Sequence, residues 1–305
     1  MSEEVYDVII LGGGPAGLTA GIYTGRHRLK TLLLEGRKLG GRALDAHRIE
    51  NFPGFPEGIS GTELMDRFIA QARRFGVEFR IEKFLGLNVA GDFKMVVTRT
   101  DIFKARAVII ATGIQRKQLR VPGEIEYKGR GVSYCAICDG PLYANRTVAV
   151  VGPGKEAVEE SLKLADIGKK VYAIPGAKGY SADVEVLKEL AENDKIEVIE
   201  GFDIESIEGD TSVTHIKLKG DPARTLKVDG IFIVLENIPT TNIIREAGIL
   251  TNESGCILID KDQQTNIEGV FAAGDCVCGG MQVVTATGEG GRAGLSALRY
   301  IKSLK

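Results

Sequence analysis

Two cysteines three residues apart carry the clearest chemical signal in the chain. They lie in the run Cys135-Ala-Ile-Cys138, and Asp139 follows directly. Thiols at this spacing can close a small disulfide and can also form a mixed disulfide with another molecule, which is typical of a redox dithiol. No second such pair or histidine cluster lies nearby, so a closed zinc site would lack ligands and we predict no metal. Asp139 is a candidate proton donor for a leaving thiolate because it adjoins Cys138.

A glycine-rich turn near the N-terminus predicts a dinucleotide site. The turn consists of Gly12, Gly13, Gly14, Pro15, Ala16 and Gly17. It follows an apolar strand and opens a helix, and Glu35 lies 21 residues after Gly14 at the end of the next strand. The first glycine permits a tight turn, the second lets a diphosphate approach the backbone, and the third lets helix and strand pack closely. The helix N-terminus favours the phosphate charge, and Glu35 can accept hydrogen bonds from an adenosine ribose.

The C-terminal part indicates which dinucleotide this is. Glu35 suits either FAD or NAD. A strand ending in Ala273-Gly274-Asp275 can place a carboxylate at a ribityl hydroxyl. Only FAD has a ribityl chain, so the sequence favours FAD as the cofactor. A closing helix is predicted over Gly288–Ile301.

The strand–turn–helix pattern then occurs a second time. A second turn with Gly152, Gly154 and Ala157 follows the strand Thr147–Val151, and Gly152 lies 140 residues after Gly12. Strands that alternate with helices imply parallel sheets with helices on their faces. We therefore predict an α/β protein with two Rossmann-like domains of three layers each. Hinges are predicted near Gly113–Gln118 and Asn237–Thr241.

The second turn departs from a functional nicotinamide site. Pro175 lies 21 residues after Gly154, where NAD requires an acidic residue and NADPH requires arginines nearby. Lys178 is the one basic residue in the stretch that follows. Pro153 removes an N–H from the loop, and Glu156 adds a carboxylate to the first turn of the helix. These features predict that NADPH binds poorly or not at all.

Composition excludes several classes of function. The 305 residues carry 39 Lys and Arg against 41 Asp and Glu, a net charge of −2, which argues against a dedicated nucleic-acid or anionic-membrane binder. No apolar run reaches the ~18–20 residues of a membrane span, and the acidic start Met1-Ser2-Glu3-Glu4 is unlike a signal peptide. We therefore expect a cytoplasmic protein. We expect Cys276 and Cys278 to be small buried fillers, with an auxiliary redox pair as the alternative, and Cys256 to be structural.

Taken in order, the motifs resemble those of low-molecular-weight thioredoxin reductases, over nearly the whole chain. Besides the dithiol and both glycine turns, the resemblance includes Gly40-Gly41-Arg42, Glu50-Asn51-Phe52-Pro53-Gly54, Ala111-Thr112-Gly113, Gly129-Arg130-Gly131-Val132-Ser133, Ala273-Gly274-Asp275 and Gln282-Val283.

The resemblance implies how the chain is organised. It implies a discontinuous FAD domain over residues 1–114 and 242–305, with a nucleotide-binding-like domain carrying the dithiol inserted at 115–241. It implies a homodimer, rotation of the smaller domain, and a second cysteine, Cys138, that lies nearer the flavin. The residues that it implies for the cofactor site, beyond the first turn and Glu35, are Gly41, Arg42, Asn51, Thr112, Gly113, Gly274, Asp275, Gln282 and Val283.

The function implied is FAD-dependent transfer of electrons to the Cys135/Cys138 disulfide and on to thioredoxin. Reductases of the NADPH type carry His-Arg-Arg where this chain has Pro175-Gly176-Ala177, and Glu236 replaces a usual glycine. Relatives without the basic residues use ferredoxin or a reduced deazaflavin. The alternatives are a flavin reductase or dithiol oxidase acting on a small molecule or a peroxiredoxin system, and a non-catalytic nucleotide-binding redox sensor.

Overall fold

The computed structural model describes residues 4–235, 237–239 and 242–304. Glu236 and the end of the second predicted hinge, Thr240 and Thr241, lie outside these ranges. The chain divides into two compact units, one formed by residues 1–115 and 238–305 and the other by residues 116–237. Within the described ranges, no helix has the length and apolar character needed to cross a membrane.

The elements of the chain up to the first crossing between units are β1 Val5–Leu11, α1 Pro15–Arg26, β2 Thr31–Glu35, α2 Gly61–Arg74, β3 Glu78–Ile81, β4 Phe84–Asn88, β5 Lys94–Thr98, β6 Ile102–Ile110 and β7 Ile114–Arg116. Those that follow, to the second crossing, are β8 Val132–Ser133, α3 Ala136–Asp139, β9 Thr147–Val151, α4 Lys155–Ile167, β10 Lys170–Gly176, α5 Val184–Glu192, β11 Ile196–Glu200, β12 Asp203–Gly209, β13 Val213–Lys219, β14 Arg224–Lys227, β15 Gly230–Ile233 and β16 Asn237–Pro239. The last are α6 Asn242–Glu246, β17 Val270–Ala272 and α7 Val283–Ser303.

The first unit is built on a largely parallel sheet. Its strand order is β3-β2-β1-β6-β5-β4, and β17 pairs with the end of β6. The strand β1 is buried on both faces, as parallel strands between two layers must be. On one face of the sheet, Val8 and Ile10 pack on α1, α2 and α7. On the other face, Ile9 and Leu11 pack on residues of β4 and β5, the antiparallel end of the same sheet, and on the segment around Ile249. This gives the predicted three layers.

The second unit repeats the arrangement. A five-stranded parallel sheet has the order β11-β10-β9-β15-β8. One face packs on α4 and α5, and the other packs on a three-stranded antiparallel sheet of β12, β13 and β14. The predicted α/β class with parallel sheets is confirmed.

The last helix is longer than predicted. It begins at Val283 rather than Gly288, because Gln282 and Thr285 form a capping box that satisfies the free N–H groups at its start. Several glycines lie in this helix. In the structure they serve packing, since a Cβ on Gly290 would lie 2.1 Å from the carbonyl oxygen of Ala16 in α1.

Candidate active site

The first glycine turn has the geometry that its sequence predicts. Gly12 has a φ of +110°, and a Cβ there would lie 2.2 Å from the carbonyl oxygen of Ala111. A Cβ on Gly17 would lie 1.9 Å from the carbonyl oxygen of Gly12. A larger residue at Gly12 would therefore push the turn away from the segment after β6, and one at Gly17 would push α1 away from the turn.

Gly14 differs, because the space beside it is open. A Cβ there would contact only the Cα of Gly41, at 3.9 Å. Gly14 is the N-cap of α1 and Pro15 is its first residue; no side chain caps the helix, and its first turn holds no acidic residue. Peptide N–H groups at such a terminus can bind an anion, so this cradle fits a diphosphate.

Glu35 ends β2 beside this turn. Its Oε2 accepts the N–H of Gly13 at 2.8 Å, and its Oε1 accepts the N–H of Arg37 at 2.8 Å. Both oxygens are oriented by the backbone and keep lone pairs for further donors. The carboxylate is thus held next to the diphosphate cradle, as binding of an adenosine ribose requires.

Residues distant in sequence complete this cradle. The Gly41 Cα lies near Gly14, and Arg42 Nη1 donates to Asp275 Oδ2 at 3.1 Å. Gly274 has a φ of +81°, and a Cβ there would lie 2.9 Å from the Ala16 Cβ. The turn that carries Asp275 therefore approaches the start of α1.

The other residues implied by the resemblance lie on the same unit. Asn51 Nδ2 donates to Gln282 Oε1 at 3.0 Å, and Val283 is the first residue of α7. Thr112 and Gly113 directly follow the Ala111 that packs on Gly12. The structure therefore places Thr112 and Gly113 next to the first turn and joins Asn51 to the start of α7, and their role in binding a cofactor stays a prediction.

Sequence reasoning missed Glu289. This half-buried side chain on α7 accepts the N–H of Gly274 through Oε2 at 2.7 Å. Desolvation by burial and the nearby charge of Asp275 raise its pKa, while the hydrogen bond from Gly274 opposes the shift. Glu289 thus holds the turn that presents Asp275. No motif marks it, because a glutamate in a long helix is usually solvated.

The predicted dithiol is present as a Cys135–Cys138 disulfide in the second unit. Cys135 is the N-cap of the one-turn helix α3, and its sulfur accepts the N–H of Cys138 at 3.2 Å. Cys138 is exposed and Cys135 is partly buried. Cys138 is therefore the more exposed residue of the pair.

Asp139 is held by Ser133. The Ser133 hydroxyl donates to Asp139 Oδ2 at 2.6 Å and accepts the N–H of Cys135 at 3.1 Å. Ser133 is buried, so this link between the carboxylate and the first cysteine is protected from water. Burial, and secondarily the Asp139 charge, raises the pKa of Tyr143 to about 12.

A second missed residue supports the dithiol helix. Glu160 on α4 is 7% exposed, and its Oε2 accepts the N–H of Ala136 at 3.3 Å. This carboxylate satisfies a free N–H in the first turn of α3. In the sequence, Glu160 lies in an acidic run of α4 that reads as a solvated face.

The second glycine turn is partly closed by its own unit. The N–H of Ser181 donates to the carbonyl oxygen of Pro153 at 2.7 Å, and Lys155 pairs with Asp183 at 2.8 Å. A cavity of about 230 Å³ adjoins the turn. Its walls include Pro153, Pro175, Leu119, Val121, Phe202, Asp203 and Leu235. Asp203 Oδ1 accepts the N–H of Ala177, which places a carboxylate at the segment where NADPH sites carry basic groups.

The prediction that Cys278 is a small buried filler is wrong, whereas the same prediction for Cys276 is confirmed. Cys256 and Cys278 form a disulfide, whereas Cys276 is a buried free thiol whose pKa is raised to about 12 by burial. The alternative pairing of Cys276 with Cys278 does not form. The N–H of Ile257 donates to the Cys276 carbonyl at 2.9 Å, which brings Cys256 beside a segment 22 residues away in sequence. Sequence spacing could not reveal this contact.

Comparisons with known proteins agree with this geometry. Residues 6–290 match the family described as pyridine nucleotide-disulphide oxidoreductase. A thioredoxin reductase of Listeria innocua is 40% identical over 309 residues, which cover 99% of this chain and 96% of that protein. A bifunctional thioredoxin reductase/thioredoxin of Mycobacterium leprae is 36% identical, over 98% of this chain and 66% of that protein. The crystal structure of a Streptococcus pyogenes thioredoxin reductase superposes with a TM-score of 0.94 at 34% identity, covering 99% of this chain and all of that one.

Proposed function

Because the chain belongs to the pyridine nucleotide-disulphide oxidoreductase family, we propose that it is an FAD-dependent reductase that passes electron pairs through Cys135 and Cys138 to a thioredoxin-like protein. The observation that carries this proposal is the Cys135–Cys138 disulfide, closed across one helical turn and followed by Asp139. The relative in which a thioredoxin reductase is joined to a thioredoxin supports thioredoxin as the partner class.

The first unit offers a site that fits FAD. The open N-terminus of α1 at Gly14 would bind the diphosphate, Glu35 would bind the adenosine ribose, and Asp275 would bind the ribityl chain. Arg42 orients Asp275 through its hydrogen bond, and Glu289 holds the Gly274 turn that precedes Asp275. When bound, the flavin supplies a carrier that exchanges an electron pair with a disulfide.

The second unit supplies the groups for thiol–disulfide exchange. In the reduced chain, one thiolate of the pair attacks a disulfide sulfur of the substrate, and a mixed disulfide forms. The other cysteine then attacks its partner's sulfur, closes Cys135–Cys138 and expels the substrate as a dithiol. Asp139, held by Ser133, provides the proton that a leaving thiolate requires. The two electrons of the reduced pair thus move to the substrate.

We also propose that NADPH is a poor electron donor. Pro153 lacks the N–H that a diphosphate would use. Asp203 places a negative charge where a 2′-phosphate would require a positive one. Each lost contact between an arginine and a phosphate costs about 1.5–3 kcal/mol, so two losses weaken binding roughly 10²- to 10⁴-fold. The donors we expect in place of NADPH are a ferredoxin or a reduced deazaflavin.

An anaerobic donor assay tests both parts of the proposal. Oxidised, flavin-loaded protein is mixed with excess NADPH, with reduced ferredoxin, with reduced deazaflavin or with dithionite, and flavin absorbance is followed. We expect dithionite to bleach the flavin, which shows that it is competent, and NADPH to leave it oxidised. Rapid bleaching by NADPH would refute the donor proposal. Failure of reduced enzyme to reduce thioredoxin would refute the substrate proposal.

The first unit also has a surface suited to a second copy of the chain. A groove of about 480 Å³ lies between α1, α2 and α7, and its walls include Tyr23, Phe68 and Leu295. Leu295 is 40% exposed. We expect the chain to be a homodimer that covers this groove. Light scattering should give a dimer mass, and Leu295→Glu should shift it towards the monomer.

A further inference from the structure

The Cys256–Cys278 disulfide has one accessible end and one protected end. Cys278 is exposed, has a φ of +58° and ends the short 3₁₀ helix Asp275–Val277. Cys256 is 4% exposed. Cys278 is therefore the end of the disulfide that an incoming thiolate can approach, whereas Cys256 is buried.

The protected end is fixed by its own loop. Thr251 and Ile257 form a β-bridge on either side of Cys256, and Asn252 Oδ1 accepts the Cys256 N–H at 2.9 Å. The N–H of Ile257 donates to the Cys276 carbonyl at 2.9 Å. The first two contacts lie within the loop that carries Cys256 and would survive cleavage of the disulfide.

Cys278, the accessible end, lies in the middle of the segment 275–282, whose two end residues belong to the proposed cofactor site. Asp275 and Gln282, at the two ends of the segment, contact Arg42 and Asn51. Between them, Gly280 has a φ of +126° and Met281 a φ of +51°, so the backbone there departs from regular structure. The disulfide is a covalent tether at the centre of this stretch.

We propose that Cys256–Cys278 is a second thiol–disulfide exchange site, at which a reduced dithiol protein attacks Cys278 and releases the segment between Asp275 and Gln282. The attacking thiolate forms a mixed disulfide with Cys278, the Cys256–Cys278 bond breaks, and Cys256 leaves as a thiolate that takes up a proton. The second thiol of the dithiol protein then attacks its own mixed-disulfide sulfur and frees Cys278. One electron pair enters the chain, and the dithiol protein leaves oxidised.

The two disulfides differ in expected rate. Cys256 leaves from a buried position, where a thiolate is poorly solvated and leaves more slowly. We therefore expect reduction of Cys256–Cys278 to lag behind reduction of Cys135–Cys138. Reduced thioredoxin is the product of the proposed function. Reduction of Cys256–Cys278 would therefore occur only after reduced thioredoxin has accumulated for some time. Only the effect on cofactor affinity rests on the proposed function; the exchange itself does not.

The test uses the full, flavin-loaded chain. Pre-reduced thioredoxin, freed of small reductant, is added without oxygen, and exposed thiols are alkylated and mapped by peptide mass spectrometry at successive times. We expect Cys135 and Cys138 to be labelled first, then Cys256 and Cys278. Cys276 is buried in the oxidised chain and lies in the segment that would be released, so it should stay unlabelled until Cys256–Cys278 has been reduced.

Two further readouts test the consequence for the segment. Amide hydrogen exchange across 276–281 should increase on reduction, and FAD dissociation should become about tenfold faster, the equivalent of one lost polar contact. The Cys256→Ser/Cys278→Ser variant should show both properties without reductant, and reduction should leave them unchanged.

The outcomes separate the two proposals. If Cys256 and Cys278 stay unlabelled while Cys135–Cys138 is fully reduced, exchange at Cys278 is refuted. If they are labelled and the amides of 276–281 exchange no faster, release of the segment is refuted. A chain that binds no flavin would refute the proposed function, whereas the labelling and amide results would still decide this inference.

Discussion

Replacing Glu35 by alanine tests the adenosine end of the cofactor site. In the structure, the two carboxylate oxygens of Glu35 each accept one backbone N–H at 2.8 Å, from Gly13 and Arg37. These bonds orient the carboxylate beside the open end of α1, where two ribose hydroxyls of FAD would donate to it. Glu35→Ala removes both acceptors. Glu35→Gln keeps one acceptor oxygen. Its amide NH2 would face a backbone N–H, so one of the two hydrogen bonds that orient the side chain is lost.

The size of the effect follows from the number of contacts. A hydrogen bond to a charged group contributes about 1.5–3 kcal/mol, and the lower value applies because Glu35 is partly exposed. Two such bonds give about 3 kcal/mol, so the FAD dissociation constant of Glu35→Ala should rise roughly 150-fold. Glu35→Gln should show an intermediate rise of about tenfold.

The assay is quenching of flavin fluorescence on titration of the apoprotein. FMN lacks the adenosine, so its weaker binding should be the same in wild type and both variants. Glu63→Gln is the matched control: it removes an exposed carboxylate of the same unit that pairs with Arg67 on α2, and FAD affinity should not change. If Glu35→Ala binds FAD with wild-type affinity, the ribose does not lie at Glu35 and the proposed orientation of the cofactor is wrong.

Two further predictions concern Ser133 and Glu289. Ser133→Ala removes the hydroxyl that positions Asp139, so steady-state reduction of thioredoxin should fall about tenfold or more, while Ser133→Thr should retain most activity; equal rates would contradict a role for this contact. The pKa of Glu289 is raised in the folded chain by burial. Its protonated form therefore adds to the free energy of unfolding. This contribution is complete below the ordinary pKa of 4.5 and is lost as pH rises through the raised pKa. Thermal unfolding of wild type should therefore show a decline in stability above pH 4.5 that Glu289→Gln lacks, and parallel pH profiles of the two proteins would argue against it.

Local patterns predicted the turn and the dithiol well, because the physics involved is itself local. The strain at Gly12 and the packing of Gly17 arise within one strand–turn–helix unit, so their spacing carries the information. Cys135 and Cys138 are likewise joined across a single helical turn. The apolar strand expected before the first turn is β1, and it is buried on both faces.

Contacts between distant segments could not be predicted in the same way. Arg42 and Asp275 are separated by 233 residues, and no pattern in the sequence predicted that they pair. Cys256 and Cys278 meet because a loop folds back on the Asp275 segment, which no spacing rule encodes. Glu160 and Glu289 resemble exposed helix carboxylates in the sequence, and only tertiary packing shows that they accept backbone N–H groups.

Electron uptake measures most directly whether a flavin and Cys135–Cys138 act as one redox unit. The flavin-loaded Cys256→Ser/Cys278→Ser chain is titrated anaerobically with dithionite, and flavin absorbance and free thiols are both followed. We predict two electron pairs per chain, one for the flavin and one for Cys135–Cys138, and a single pair when Cys135 and Cys138 are also replaced by serine. Equal uptake by the two proteins, or a chain that stays colourless with added FAD, would contradict the proposed transfer.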